Sequence, residues 1–167
     1  ARTRVEERRE VSVRVALDAE GGATVEGEDR YFGAAGGMAK GAVEQLDASE
    51  RRQVVEAMLA RSFGGIVLSE ATLLGEDDPE APFVVRWKGR VPRLARSAAG
   101  GLVLDESILP ANLGARLVQV AGRTTPLLLE APERTVQRVE LVAPEGLVPV
   151  AAAPREARGP FGTFSRA

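Results

Sequence analysis

Apolar and polar residues alternate most regularly near the N-terminus of the chain. Between Glu10 and Asp18 a valine, or finally a leucine, occupies every second position, which is the period of a strand with one buried face. The turn-forming sequence Ala-Glu-Gly-Gly follows at 19–22, and the alternation resumes from Ala23 to Glu28. This pattern predicts a β-hairpin that carries Arg14 on its polar face, opposite a glutamate-rich return strand.

A helical period replaces the alternation farther along the chain. Apolar residues recur three and four positions apart between Val54 and Leu59, and two glycines follow this segment. Asp47 precedes it with Glu50 three positions later, which is the spacing of a capping box at a helix N-terminus. We predict a helical segment over about residues 39–63. We expect its apolar stripe to pack on the sheet of the same chain rather than on a partner protein.

A second hairpin is predicted after this helix. The apolar and partly β-branched run Ile66–Leu74 indicates a strand, and the acidic loop at 75–80 separates it from another alternating run. In that run Phe83, Val85 and Trp87 share one face. We therefore expect Trp87 to lie in the core rather than to serve as an exposed stacking platform.

The C-terminal part of the chain contains a further strand pattern followed by turns. Val139 and Leu141 alternate with charged residues within Val136–Val142, which is typical of a half-buried strand. Pro144-Glu145-Gly146 then predicts a reversing turn, because proline presets an early turn dihedral and glycine accepts the positive φ of a later position. Gly162 predicts a second bend close to the end of the chain.

These elements predict an α+β fold that is mostly antiparallel β, with β-sandwich-like sheets and one inserted helical segment. The class follows from strands that are joined by short turns rather than alternating with helices. The glycine-containing stretch Ser97–Gly101 is the best candidate boundary. We accordingly predict β-hairpins with the inserted helix at residues 1–100 and a small sandwich-like unit at 101–167, and the two could also form one domain.

Composition and charge narrow the functional classes. The 167 residues carry 22 Lys and Arg against 24 Asp and Glu, a net charge of −2, whereas a nucleic-acid-binding surface is basic. The chain contains no cysteine and no histidine, so it offers neither a thiol nucleophile nor an imidazole base. No apolar run in the sequence reaches the ~18 residues of a membrane span. We therefore expect no nucleic-acid partner, no membrane insertion and no cofactor.

Two loops invite a ligand-binding interpretation. The stretch Gly33–Gly41 contains Lys40, but a phosphate loop places its lysine directly after the closing glycine, and here the lysine precedes it. We interpret this stretch as a flexible entry into the helix. The acidic loop at 75–80 lacks the alternating ligand positions and the distal glutamate of a calcium-binding EF-hand loop. We interpret it as a solvated hairpin loop.

One basic stretch and one acidic pair complete the candidates. The basic stretch consists of Arg86, Lys88, Arg90, Arg93 and Arg96. A groove for a nucleic-acid strand needs aromatic rings beside such charges, and only Trp87 is available, so we predict a basic edge strand that prevents aggregation. Asp105 and Glu106 are neighbours that would point to opposite faces of a strand, so they cannot act together as catalytic carboxylates. We assign no catalytic, cofactor-binding or metal-binding residue and expect no enzyme activity.

Several of these motifs resemble a known family. The motifs are, in order, Arg123, Pro126-Leu127-Leu128-Leu129, a charged strand, Pro144-Glu145-Gly146 and Phe161-Gly162-Thr163-Phe164-Ser165. This order resembles the C-terminal domain of unknown function that follows the catalytic core in bacterial transglutaminase-like proteins. The stretches Leu17–Ala23 and Phe63–Leu74 resemble the region between that core and the C-terminus. Such domains continue past the Phe-Gly bend into further strands, whereas this chain ends at Ala167, so either the chain is truncated or the last strands are missing here.

The resemblance implies a non-catalytic accessory module. The catalytic core of the family resembles papain-type enzymes with a Cys, His and Asp triad, and this chain has no Cys or His to supply one. A catalytic domain of the same polypeptide would then be its partner, in a periplasmic or secreted bacterial protein. The alternative is a free-standing β-sandwich binding module for protein or carbohydrate. An aromatic content of 4% disfavours the carbohydrate version, because sugar sites use exposed aromatic rings.

Overall fold

The structure is a computed structural model that describes residues 7–104, 134–150, 155–159 and 162–166. The described residues form nine strands and two helices. Their bounds are β1 Arg8–Leu17, β2 Ala23–Tyr31, α1 Gly33–Val43, α2 Ala48–Ala60, β3 Val67–Leu74, β4 Phe83–Val91, β5 Ala95–Ala98, β6 Gly101–Leu104, β7 Arg134–Val142, β8 Arg155–Gly159 and β9 Gly162–Arg166.

A five-stranded sheet forms the centre of the described fold, with the strand order β3-β4-β2-β1-β7. Its neighbouring strands are antiparallel except β1 and β7, which run parallel. The pairs β5–β6 and β8–β9 form two small antiparallel sheets. The predicted α+β class, rich in β-structure, is confirmed. The predicted sandwich is not confirmed, because the described sheets are open and the two helices supply the layer that covers the large sheet.

One face of the five-stranded sheet is apolar and forms the core with the helices. Alternate residues of β1, β2 and β4 point to this face, and Val15, Val25 and Val91 are completely buried there. The Trp87 side chain also belongs to it, at 5% exposure, and its ring centre lies 5.5 Å from that of Phe63. The predicted core position of Trp87 is therefore confirmed.

The first predicted hairpin is confirmed as β1 and β2. Asp18 organises its turn, because the Oδ1 atom accepts a hydrogen bond from the Gly22 amide at 2.7 Å. Gly21 adopts a φ of 89°, which favours glycine, and its carbonyl accepts the amides of Leu94 at 2.8 Å and Ala95 at 2.9 Å. The turn thereby holds the start of β5 against the end of the large sheet.

Helix α2 begins where the sequence predicts it. The Asp47 carboxylate accepts the Glu50 amide at 2.9 Å, and the Glu50 carboxylate accepts the Asp47 amide at 2.9 Å, which completes the predicted capping box. On the predicted apolar stripe Val55 and Leu59 are buried, whereas Val54 is 47% exposed. The buried part of the stripe packs into the core of the same chain, as expected.

Helix α1 corrects the predicted helical segment of about residues 39–63. The chain forms two helices in this region, and the first begins at Gly33, where a flexible entry is predicted. Glu7 Oε1 accepts the Ala34 amide at 3.0 Å and so caps α1 from 27 positions away. The Lys40 ammonium donates to two carbonyls of the loop between β3 and β4. These distant contacts outweigh the low helix propensity of the glycines in α1.

Strand β4 is an interior strand, which corrects the predicted basic edge strand. It pairs with β3 on one side and with β2 on the other. The reason lies in the topology, since the β3–β4 hairpin folds back beside β2 after the two helices. Lys88 consequently lies between Glu26 and Glu70 in the pairing register, exposed on a face of the sheet rather than at its edge.

The predicted C-terminal strand and the turn after it are confirmed. Strand β7 contains the predicted run Val136–Val142. The Leu147 amide then donates to the Pro144 carbonyl at 3.1 Å, and Gly146 adopts a φ of 83°. Near Gly162 the chain reverses between β8 and β9, in agreement with the predicted bend.

Strand β7 connects the two predicted units, because it pairs with β1 throughout its length. The predicted boundary at Ser97–Gly101 coincides with the turn between β5 and β6. The division into units at 1–100 and 101–167 stays a prediction. Asp105, Glu106 and the 123–129 part of the family resemblance lie outside the described residues.

Candidate functional site on the open face of the sheet

The face of the five-stranded sheet that points away from the helices is polar, and we call it the open face. Alternate residues of all five strands reach it and line a shallow depression of about 550 Å³. We define the open face by ten residues, which are Ser12, Arg14, Glu26, Glu28, Glu70, Thr72, Arg86, Lys88, Arg138 and Glu140. Four of these are cations and four are carboxylates, so the open face is dense in charge but balanced.

One row of residues across the open face alternates in charge, and we call it the central row. The pairing register places Arg14 of β1 between Glu140 of β7 and Glu26 of β2. It places Lys88 of β4 between Glu26 and Glu70 of β3. Because neighbouring strands lie about 4.8 Å apart, five charges of alternating sign extend over roughly 19 Å.

The ion pairs within the central row are long and exposed. Arg14 Nη1 lies 3.6 Å from Glu26 Oε1, and Arg14 Nε lies 3.8 Å from Glu140 Oε1. The Arg14 side chain is 54% exposed and that of Glu140 is 64% exposed. Within the described residues, Lys88 and Glu70 make no ion pair. Exposed pairs contribute about 0–1 kcal/mol, so the charges of the central row are available to an external partner.

The remaining five open-face residues form a second row, which we call the neighbouring row and which consists, from β7 to β3, of Arg138, Ser12, Glu28, Arg86 and Thr72. It contains a carboxylate that is held more tightly. Glu28 Oε2 accepts a hydrogen bond from Arg86 Nε at 2.6 Å, and Glu28 Oε1 accepts one from the Arg30 guanidinium. The Arg86 hydrogen bond lowers the pKa of Glu28, and Arg30 adds to this effect through its own hydrogen bond and charge, although partial burial opposes both. Glu28 is therefore ionised near neutral pH and acts as a hydrogen-bond acceptor.

The open face suits charge recognition better than covalent chemistry. A general acid near neutral pH needs a raised carboxyl pKa, and the shift at Glu28 is in the opposite direction. Across the described ranges, no group of three or more His, Cys, Asp or Glu side chains could hold a metal ion. None of the ten residues of the open face is aromatic, because the Trp87 ring points to the core. A stacking surface for sugar rings is thus lacking on this face.

A buried charged cluster lies on the opposite face of the sheet. Asp29 is 3% exposed, and it accepts hydrogen bonds from Arg9 Nε at 2.9 Å and from the Tyr31 hydroxyl at 2.9 Å. The Tyr31 oxygen also lies 3.4 Å from Met58 Sδ of α2. Burial is the largest cause that raises the pKa of Tyr31, and the Asp29 charge adds to it. Because these groups satisfy one another, we assign the cluster a structural role.

Sequence reasoning finds neither the central row nor this cluster. The central row depends on the order of five strands, and the alternation within each strand does not contain that order. The cluster has a local signal, because Asp29 follows Val25 and Gly27 at the spacing of the core face of β2. An acidic residue at a core position requires a partner, which Arg9 and Tyr31 supply.

The candidate loops have roles in holding the fold. The Lys40 ammonium donates to the carbonyls of Asp78 at 2.5 Å and Ala81 at 2.6 Å, so it holds the loop between β3 and β4. Glu76 of that loop pairs with Arg51 of α2 at 2.7 Å.

Part of the basic stretch reaches the candidate site. Arg86 and Lys88 are on the open face, whereas Arg90 pairs with Asp18 at 3.1 Å. Arg93 and Arg96 are not among the ten open-face residues.

In the parts of the chain that the structure describes, no helix has the length and apolar character needed to cross a membrane. Comparison with known proteins gives no relative: no family model, no curated protein and no solved structure matches this chain. The resemblance to the C-terminal domain of transglutaminase-like proteins thus stays a hypothesis. The geometry of the open face is the basis for an inference about function.

Proposed function

We propose that this chain is a non-catalytic accessory module of a bacterial transglutaminase-like protein and that its open face is a protein contact surface. The family assignment rests on the motif resemblance. The assignment of a contact surface rests on the structure of the open face. The expected setting is a longer polypeptide that also contains a catalytic domain.

The central row is the observation that carries the contact surface. A pleated sheet fixes the spacing of its side chains, so Glu140, Arg14, Glu26, Lys88 and Glu70 present a rigid pattern of alternating charge. Complementary charge patterns on a partner provide specificity and correct orientation. The long internal pairs of Arg14 leave its charge accessible to such a partner. A protein surface with the opposite pattern is therefore the ligand class that the open face fits.

The non-catalytic part of the proposal is supported by the state of Glu28. Two arginines hold its carboxylate, and its pKa is lowered. Proton transfer in catalysis usually relies on a group whose pKa is close to the working pH. An ionised and doubly bonded carboxylate is better suited to orienting charges than to moving a proton.

The alternative proposal is a free-standing binding module that recognises a protein. It uses the same open face and differs only in whether the partner belongs to the same polypeptide. The carbohydrate version has no support from the open face, because none of its ten residues provides an aromatic ring. The open face carries rows of charged side chains and no aromatic ring among its ten residues, which favours a protein over a carbohydrate as the ligand.

Lysine reactivity tests the proposed contact surface. The chain has two lysines, of which Lys88 is on the open face and Lys40 donates to loop carbonyls. We expect acetylation of Lys88 by an amine-reactive ester to be several-fold slower in the full-length gene product than in the dilute 167-residue chain, because a partner covers the open face. Mass spectrometry of peptides reports the rate at each lysine.

The second lysine is the matched internal control for this measurement. Lys40 lies at helix α1, away from the open face, so its acetylation rate should be the same in both proteins. Equal rates for Lys88 in the two proteins would contradict the proposal. A slower rate at both lysines would indicate a general change in reactivity and would also count against it.

A further inference from the structure

We propose that the open face binds a second copy of this chain, related by a two-fold axis that runs parallel to the strands between β2 and β4. The inference rests on the proposed function, because it takes the open face as a protein contact surface and names the occupant. A two-fold interface brings the same patch of both copies together, so the patch must complement itself. The strand register allows this property to be checked residue by residue.

The central row complements itself under this two-fold. The axis places β2 of one copy over β4 of the other and β1 of one copy over β3 of the other. The central row of one copy then faces the central row of the second copy, and the neighbouring row faces the neighbouring row. Glu26 then faces Lys88 of the second copy, and Arg14 faces Glu70 of the second copy. Both contacts join opposite charges. Symmetry repeats each of them, so the central row provides four intermolecular ion pairs.

The neighbouring row complements itself under the same axis. Glu28 faces Arg86 of the second copy, which again joins opposite charges. Ser12 faces Thr72 of the second copy, and both side chains are uncharged. Neither row brings two like charges together, and this agreement between two independent rows is what selects the axis.

Other positions of the axis that overlap three or more strands fail the same test. An axis on β2 itself would place Glu26 against Glu26 of the second copy and Arg14 against Lys88 of the second copy. Both of these contacts join like charges. An axis between β1 and β2 satisfies the central row but places Arg138 against Arg86 in the neighbouring row. Like charges at an interface are strongly unfavourable, so the axis between β2 and β4 is the arrangement that the charges favour.

The size of the overlap fits a reversible dimer. Four strands take part, at about 4.8 Å each, and each is about 30 Å long, so roughly 570 Å² per copy is covered. The total of about 1,100 Å² is close to the lower end of specific protein interfaces, at about 1,000–1,200 Å². We therefore expect an association that depends on concentration and on salt.

Sedimentation equilibrium of the 167-residue chain tests the inference. We expect a monomer–dimer equilibrium whose dissociation constant rises about tenfold when salt is raised from about 0.05 M to about 0.5 M, because the contacts are exposed charges. Glu26→Lys and Lys88→Glu each create two like-charge contacts, and each should weaken the dimer about tenfold or more. The double variant E26K/K88E restores opposite charges across the axis and should restore the dimer.

Glu44→Lys is the matched control variant. Glu44 undergoes the same change of charge, but it is exposed at the end of α1, outside the open face. We expect its dissociation constant to equal that of the unchanged chain. Circular dichroism of all variants checks that each is folded.

Two results would overturn the inference. One is a chain that is monomeric at every concentration in low salt, and the other is a dimer that Glu44→Lys weakens as strongly as Glu26→Lys. Both leave the proposed function intact if Lys88 is protected in the full-length gene product. If Lys88 is unprotected there, the proposed function fails as well, so the two failures can be told apart.

Discussion

Gly27 allows the largest side chain of the core to lie directly on the sheet. A Cβ atom at this position would be 2.5 Å from Cζ2 of Trp87 and 2.8 Å from the carbonyl oxygen of Ser12. Both distances are shorter than real Cβ contacts, so a side chain at Gly27 would displace the indole or the neighbouring strand. The glycine in the interior of β2 therefore marks a close approach rather than a weak strand.

Gly27→Ala should lower the free energy of unfolding by about 1–3 kcal/mol, because overpacking a tight core forces its neighbours to move. Gly41→Ala is the control, since a Cβ at Gly41 meets no atom within 4 Å. Gly41 lies inside α1, where alanine should increase the free energy of unfolding by up to about 1 kcal/mol. Urea denaturation measures both values, and a similar change in the two variants would contradict the packing at Gly27.

Tyr31 makes the stability of the fold sensitive to alkaline pH. Burial and the Asp29 carboxylate raise the pKa of its phenol in the folded chain above the ordinary value of 10.0. Below about pH 10 the phenol is protonated in both the folded and the unfolded chain, so this contribution is fully present. Above about pH 10 the unfolded chain releases the proton first, and the free energy of unfolding should fall.

Ultraviolet difference absorbance can follow this titration directly, because Tyr31 is the single tyrosine of the chain. We expect tyrosinate absorbance to develop near pH 10 in urea but only at clearly higher pH in the folded chain. A folded chain that titrates like the urea-unfolded one would contradict the burial of the Tyr31 hydroxyl beside Asp29.

At the scale of single elements, the two helices show what a sequence does and does not contain. Helix α2 carries its own start signal, because Asp47 and Glu50 are three positions apart, and the sequence predicts this helix correctly. Helix α1 depends on two distant contacts. Glu7 lies 27 positions before Ala34, whose amide it accepts, and the loop after β3 lies about 40 positions beyond Lys40, which donates to it. Local pattern reasoning cannot supply such partners, so the predicted helical segment begins too late.

Asp47→Ala should cost about 1 kcal/mol of unfolding free energy, because it removes the acceptor for the Glu50 amide at the start of α2. Glu44→Ala removes a similar charge from an exposed position directly after α1 and serves as the control. Thermal unfolding compares the two variants. A loss for Glu44→Ala equal to that for Asp47→Ala would mean that charge, rather than the cap, sets the stability.

At the scale of the whole molecule, the alternation within strands predicts the faces correctly but not the neighbours. The assignment of Val85 and Trp87 to the core and of Arg86 and Lys88 to the polar face follows from period two alone. The interior position of β4 and the parallel pairing of β1 with β7 depend on how distant segments meet. For the same reason the predicted sandwich is not confirmed, and the sequence does not predict the central row.

The whole open face acts as one unit, since its charges matter only as an ordered pattern. The most direct measurement is sedimentation of an equimolar mixture of the Glu26→Lys and Lys88→Glu variants. In the mixture each like-charge contact becomes an opposite-charge contact. We therefore expect the mixture to form a one-to-one dimer about as stable as that of the unchanged chain, while each variant alone forms a dimer that is about tenfold weaker or more. A mixture that stays monomeric under conditions in which the unchanged chain dimerises would contradict the account.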